Sequence, residues 1–315
     1  MADPNLFNDT RALWYVTPGT VGERSIGALI DTLKAKAPNV NALYVKCWNW
    51  HGWAYRAVAN KPGMAITGEA DVKRWADALH AAGMRMVAWG VARGTSTKAE
   101  ADIMRRVAGA GVDALVVDVE AGEYYWSGTD KAADDLAQVA RSTGVHVGLC
   151  YDYRGTHPIT SRASRWYPYV DSLHPMAYHF HFGRSASVVM AECVAKLRPL
   201  GKPIVPALQG YSVGTRLYNP DDIPTTATIA KSHGVAGLSW FRYGAGMHLP
   251  ESGIGPNDLW AVAKVGGGAS PKPVEPALFS YTDKAGGVVD VLSIDGGKWR
   301  TRHGGTVAPV ALRAS

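Results

Sequence analysis

A short apolar run, a loop and an amphipathic helix recur eight times along most of the chain. This alternation narrows the available folds more than any other feature. The strand candidates are RALWYVTP (11–18), ALYVKCWNW (42–50), RMVAWGVAR (85–93), ALVVDVEAG (114–122), HVGLCYDYR (146–154), SLHPMAYHF (172–180), PIVPALQGY (203–211) and AGLSWFRYG (236–244). Between them lie helix candidates such as SIGALIDTLKAKA, EADVKRWADALHAAG, TKAEADIMRRVAGAG, DKAADDLAQVARSTG, SASVVMAECVAKLRPLG, PTTATIAKSHG and NDLWAVAKV. Gly83, Gly111, Gly144, Gly201 and Gly234 each stand where a left-handed cap closes a helix before the next strand. Eight such units over residues 11–265 match the ~250 residues of a (β/α)8 TIM barrel. A doubly wound open sheet is the rival, but it calls for a glycine-rich phosphate loop after the first strand. Here that strand runs into TPGTVGE, a poor match.

After Val265 the pattern changes. Residues 266–276, GGGASPKPVEP, are rich in Gly and Pro and read as a linker. Residues 277–315 alternate apolar and polar residues in ALFSYT, VVDVLSI and KWRTR, and Asp295-Gly296 is a hairpin-turn signal. So small a segment hardly buries a core alone, so a β-rich appendage is expected, packed on the barrel (1–265) or on a partner.

Composition excludes several classes. Hydrophobic residues make up 47% and charged residues 19% of the chain, the balance of a globular protein with a large core. No apolar run approaches the ~18–20 residues of a membrane span, and MADPNLFNDTRALW lacks the pattern of a secretory leader. Cys47, Cys150 and Cys193 have no CxxC spacing, so neither a disulfide framework nor a zinc knuckle is expected. The expectation is a chain made in the reducing cytoplasm. The net charge of +6 comes from scattered residues with no nucleic-acid module, so no nucleic-acid partner is expected. Eleven Trp and 14 Tyr against 5 Phe suit a wet sugar-binding cleft, and equally the filling of a large core.

In a TIM barrel the chemistry sits at the C-terminal ends of the strands. Applied as a filter, that rule selects Lys46 and Trp48, Asp118 and Glu120, Tyr151 and Asp152, Tyr178, His179 and His181, Gln209 and Tyr211, and Trp240 and Arg242. The sharpest signal is Asp118-Val119-Glu120, because residues i and i+2 of a strand share a face. Two close carboxyl groups resist ionising together, so one keeps its proton near neutral pH, as a general acid requires. The plainer alternative is a salt bridge to Lys46 or Arg242, or a helix cap.

Asp113 to Glu120, read D-A-L-V-V-D-V-E, resembles the strand-four D-G-x-D-x-D-x-E signature of family 18, chitinase-like glycoside hydrolases. Met176-Ala177-Tyr178-His179 is similar to that family's M-x-Y-D, and Trp240 falls near its strand-eight tryptophan. The resemblance spans residues 11–265 and implies a role for each matching position. Glu120 protonates the glycosidic oxygen. Asp118 orients an N-acetyl group whose carbonyl oxygen is the nucleophile, a substrate-assisted exception to the two-carboxylate scheme. Tyr178 donates a hydrogen bond to the acetamide, and Trp240 stacks beneath the sugar. Two positions depart from the signature: Val116 replaces its middle acid and His179 replaces the Asp of M-x-Y-D. These departures imply a different substrate, or reduced or absent activity.

Other residues carry competing readings. Asp152 is either a second carboxylate for conventional hydrolysis or part of a polar loop, Tyr151-Asp152-Tyr153-Arg154. His174, His179 and His181 lack the further ligand a metal site needs and read as cleft-lining donors, so neither metal nor cofactor is expected. Lys46 in a barrel strand reads as a partner for a nearby carboxylate, and with Trp48, Gln209, Tyr211 and Arg242 it completes the expected sugar-contacting set.

Three functional readings follow. One is a hydrolase of a glycan bearing N-acetyl sugars, peptidoglycan or chitin-like. Another is a degenerate barrel that binds glycan or serves as a structural module. The third concerns context: a phage particle or injection machine that delivers the barrel to the cell wall, docked through residues 277–315.

Overall fold

A computed structural model of the chain describes residues 3, 5–16, 22–54, 62–244 and 253–266, and the backbone of four strands between 279 and 307. Eight parallel strands form the centre: β1 (Arg11–Tyr15), β2 (Ala42–Asn49), β3 (Arg85–Val91), β4 (Ala114–Asp118), β5 (His146–Tyr151), β6 (Ser172–Ala177), β7 (Ala207–Gln209) and β8 (Leu238–Tyr243). Each pairs with its sequence neighbours, and β1 pairs with both β2 and β8, which closes the sheet. The chain is a (β/α)8 TIM barrel.

Strand periodicity divides the core into two layers. Ala12, Trp14, Tyr44, Val87, Trp89, Val116 and Cys150 fill the barrel, while Leu13, Tyr15, Leu43, Val45, Leu115 and Val117 face the helices. The surrounding helices are α1 (Ile26–Lys36), α2 (Glu69–Ala81), α3 (Thr97–Ala108), α4 (Asp130–Ser142), a short α5 (His157–Thr160), α6 (Ala186–Leu197), α7 (Asp222–Ser232) and α8 (Leu259–Ala263). Ser25, Thr129 and Ser185 cap α1, α4 and α6 by accepting backbone N–H bonds, each contributing ~1 kcal/mol. The five glycines expected to close helices all have positive φ.

The fifth unit departs from the repeat. In place of a long helix it has α5 and a 3-10 turn, Ala163–Tyr169, that contains Pro168. The seventh expected strand, 203–211, shortens to Ala207–Gln209, because Pro203 and Pro206 have no N–H to give a ladder.

The N-terminal end of the barrel is plugged by Phe7, whose ring meets His146 and His174 edge-on. Beneath it Ser172 Oγ lies 2.9 Å from Nε2 of both histidines, and Tyr44 Oη lies 3.3 Å from His174 Nδ1. The C-terminal end is open.

A second, antiparallel sheet runs in the order β9 (Phe279–Thr282), β10 (Val288–Asp295), β11 (Lys298–Thr301), β12 (Thr306–Val307). Asp295 stands opposite Lys298 in an antiparallel pair; residues 296–297, where the hairpin turn is expected, lie outside the described ones, as do 267–276 of the expected linker and residues 17–21. Among the described residues no helix is long and apolar enough to cross a membrane.

Candidate active site

The strand ends and the loops after them enclose a cleft of about 530 Å³. Its walls include Lys46, Asn49 and Trp50 from the second unit, Asp118, Glu120, Tyr124 and Tyr125 from the fourth, and Asp152 and Arg154 from the fifth. Tyr178, His181 and Phe182 come from the sixth, Tyr211 from the seventh, and Phe241 and Arg242 from the eighth. Trp14 and Trp89 add aromatic surface from inside the barrel. Trp14 is fixed there by its indole N–H, which donates to Ser239 Oγ at 2.9 Å.

Asp118 ends β4, and Glu120 follows two residues later on the same wall. Their side chains are hydrogen-bonded to each other, and Cys150 on the adjacent strand also bonds to Asp118. Burial pushes the Asp118 carboxyl up, against the pull of the Lys46 ammonium and these hydrogen bonds. Glu120 is raised further, first by burial and then by the negative charges of Asp118 and Asp152. The two titrate as a unit that holds a proton well above the usual carboxylate range. Asp118 Oδ1 is buried with no hydrogen-bond partner among the described residues. Lys46, with its ammonium 5.0 Å from the Trp89 ring centroid, is lowered by burial and raised by the two carboxylates.

The other walls are fixed by local bonds. Tyr178 is buried, and its ring meets Phe182, Tyr211 and Phe241. Tyr211 Oη lies 2.8 Å from His181 Nδ1. Asp152 accepts from Arg154 Nε at 3.0 Å and Nη2 at 2.6 Å, and the Arg154 guanidinium lies 3.4 Å from the Phe182 ring centroid. The Asp152 carboxylate therefore stands on the wall already paired with a cation. The loop after β3 hangs on the buried Glu100, which accepts from the N–H groups of Arg93, Gly94 and Ser96 at 2.8, 3.0 and 3.1 Å.

Of the residues expected from sequence, the structure brings Lys46, Asp118, Glu120, Asp152, Tyr178, His181, Tyr211 and Arg242 into one cleft. Five others lie elsewhere. Trp240 is fully buried with Leu238 on the helix side of β8, because Ser239 and Phe241 take the inward positions; Phe241 is the aromatic that reaches the cleft. Trp48 is turned outward by a bulge: pairing with β3 slips between Lys46 and Trp48, so Cys47 and Trp48 both join the helix-side core and Asn49 takes the cleft position. Gly90 makes room for that indole, since a Cβ there would stand 2.2 Å from Trp48 Cδ2. Tyr151 also faces the helices. Gln209 is buried, with its amide spent on positioning: Oε1 accepts from His181 N at 2.8 Å and Nε2 donates to Tyr211 O at 2.9 Å. His179 does not line the cleft; its ring meets Tyr218 instead, where the chain turns after β6.

Trp14, Trp50, Tyr125, Phe182 and Phe241 escaped the sequence filter because it selected mainly polar residues late in strands. His174 is fully buried in the interior network rather than lining the cleft. Among the described residues no group of three or more His, Cys, Asp or Glu is placed to hold a metal ion. Cys47, Cys150 and Cys193 are buried free thiols.

No protein-family model matches the chain, and no curated protein matches its sequence. Solved structures do resemble it. It superposes on domain 2 of a chitinase from Pyrococcus furiosus with a TM-score of 0.57 and 14% identity, over 84% of this chain and 96% of that one. For an endo-beta-1,4-mannanase from Thermotoga petrophila the TM-score is 0.57 at 8% identity, over 83% and 77%. For a fungal beta-1,4-galactanase it is 0.55 at 12% identity, over 82% and 99%. These structural neighbours are glycoside hydrolase barrels of several kinds, and at such identities the likeness is one of fold.

Proposed function

We propose that this barrel hydrolyses a glycan bearing N-acetyl sugars, peptidoglycan or chitin-like, with Glu120 as general acid. The observation that carries the proposal is the hydrogen-bonded pair of buried Asp118 and half-buried Glu120 on the wall of the cleft, whose carboxyls are pushed upward by burial and, at Glu120, by the neighbouring charge of Asp118. Such a pair supplies a proton to a leaving oxygen at a pH where an exposed carboxyl has none. Glu120 gives its proton to the glycosidic oxygen as the C–O bond breaks. The acetamide carbonyl oxygen of the same sugar then closes on the anomeric carbon. Asp118, whose Oδ1 has no hydrogen-bond partner among the described residues, accepts the acetamide N–H, and Tyr178, just after β6, supports the acetamide. Water then attacks the anomeric carbon, breaking its bond to the acetamide oxygen and restoring the acetamide, and gives a proton to Glu120. The resemblance in residues 113–120 supports this assignment over the mannan- and galactan-directed chemistry named for other barrels of the same shape.

A second reading, glycan binding without turnover, draws on two observations. Val116 is an apolar filler of the barrel interior, and Asp152 is occupied by Arg154. Residues 277–315 are proposed to dock the barrel to a larger assembly such as a phage particle, which deletion of the segment and co-sedimentation would check. The test of the main proposal is product formation from purified peptidoglycan and from chitin oligosaccharides, followed as new reducing ends by mass spectrometry, for wild type beside Glu120→Gln. Product from wild type alone supports hydrolysis through Glu120. Retained binding with no product from either protein supports the second reading.

A further inference from the structure

We infer that Trp50 and Tyr124 form a sugar-stacking subsite beside the carboxyl pair, set rigidly in place by Arg93; the inference rests on the reading of the cleft as glycan-binding.

Trp50 is half-buried, lines the cleft, and sits at φ 58°, a left-handed conformation that a bulky side chain rarely adopts. The chain is held in it by the tight reversal that pairs Asn49 with Gly52 and Trp48 with Trp53, and by the Trp50 N–H, which donates to Val91 O at 2.8 Å. Strain of this kind persists where the surrounding structure over-determines it, and such sites cluster at ligand contacts. The indole is also backed. The Arg93 guanidinium carbon lies 4.5 Å from its ring centroid, and Arg93 is not itself among the residues that line the cleft. Arg93 is anchored in turn to the next loop, with Nε donating to Ser127 Oγ at 3.3 Å and Nη2 to Glu123 O at 3.4 Å.

One cation thus ties the loops after β2, β3 and β4 together. It holds an indole that packs against the barrel interior and lines the cleft, and Tyr124, the residue after Glu123, borders the same cleft with 68% of its surface exposed. A flat apolar face with a hydrogen-bonding edge suits the C–H face of a pyranose and its hydroxyl rim. Because the ring is already immobilised, little conformational freedom is lost on stacking. Core packing does not explain Tyr124, whose ring is mostly in solvent. The ligand class is a polysaccharide long enough to reach from the carboxyl pair to these rings, so oligomers bind better than monosaccharides.

The test is depletion from solution by insoluble chitin, peptidoglycan, mannan and galactan, for wild type, Trp50→Gly, Trp50→Tyr, Tyr124→Ala and Glu120→Gln. Glycine suits the positive φ, so Trp50→Gly removes the ring without adding backbone strain. Its Kd for the glycan that wild type binds rises at least ~10-fold, the loss expected for a buried aromatic anchor, while Trp50→Tyr stays within ~3-fold. Tyr124→Ala, whose exposed ring does not support the fold, weakens binding at least ~3-fold and decides the matter if Trp50→Gly does not fold. Unchanged binding by a folded Trp50→Gly, or by Tyr124→Ala, overturns the subsite, as does failure of wild type to bind any of the four. Full turnover by Glu120→Gln together with lost binding by Trp50→Gly refutes the acid assignment and leaves the subsite standing.

Discussion

Replacing Glu120 by Gln should stabilise the fold, increasingly so as the pH rises. Glutamine keeps the shape and a donor toward Asp118 but cannot ionise. In the native protein, burial and the neighbouring charges of Asp118 and Asp152 raise the Glu120 carboxyl, and burial raises Asp118. A group whose folded pKa lies above its unfolded value favours the fold most below the unfolded pKa, and that advantage is lost as pH climbs through the folded pKa. Two carboxyl groups near enough to share a hydrogen bond place their charges ~4 Å apart once both ionise, a repulsion of ~4 kcal/mol at an effective dielectric of ~20. Lys46 faces both and offsets part of this, leaving on the order of 2 kcal/mol. Urea unfolding of wild type and Glu120→Gln across a pH series measures the difference. It should be near zero below pH ~4, where the carboxyls are protonated folded or unfolded, and grow to ~2 kcal/mol in favour of the variant by pH ~9. A difference that is flat with pH, or a variant less stable at alkaline pH, refutes the electrostatic description of the pair.

Three further outcomes are expected. Lys46→Met removes the cation that favours ionised Asp118 and Glu120, so both carboxyls rise further and the acidic limb of any pH–rate profile moves to higher pH; an unmoved limb contradicts the placement of Lys46. His146 and His174 are pushed below the ordinary histidine pKa by burial, so the neutral-ring network beneath the barrel contributes stability that is lost as pH falls below ~6.5, and unfolding midpoints for His174→Gln should fall less over that window. Gly90→Ala forces a methyl against the Trp48 indole, 2.2 Å from Cδ2, and should destabilise by ~1–3 kcal/mol in chemical denaturation; a neutral result means the bulge in β2 relaxes freely.

Much of this architecture was legible in the sequence because it follows from local periodicity. The alternation of apolar runs and helices gave the barrel, and the closing glycines are left-handed as expected. Asp118 and Glu120 were legible because two-residue spacing puts both on one wall. The misplacements come from events that alternation alone does not encode. A single extra residue at Cys47 reverses the face of Trp48. Trp240 satisfies both the strand-end rule and the resemblance, yet counting by twos from Ser239 gives the inward position to Phe241. His179 and Gln209 lie where strands give way to loops, and there the backbone's need for hydrogen bonds decides the direction of a side chain: Gln209 serves His181 and Tyr211 rather than a ligand. Trp50 and Arg93 meet across two loops, a juxtaposition set by the folded barrel and without a signature in either segment.

The central claim is that Glu120 is the proton donor of a glycan-cleaving site. Its most direct test is turnover of peptidoglycan and chitin oligosaccharides by wild type and by Glu120→Gln, with products identified by mass. The account predicts new reducing ends from wild type and a fall of at least ~10²-fold in the variant, with glycan binding retained. Equal rates of product formation by the two proteins would contradict it.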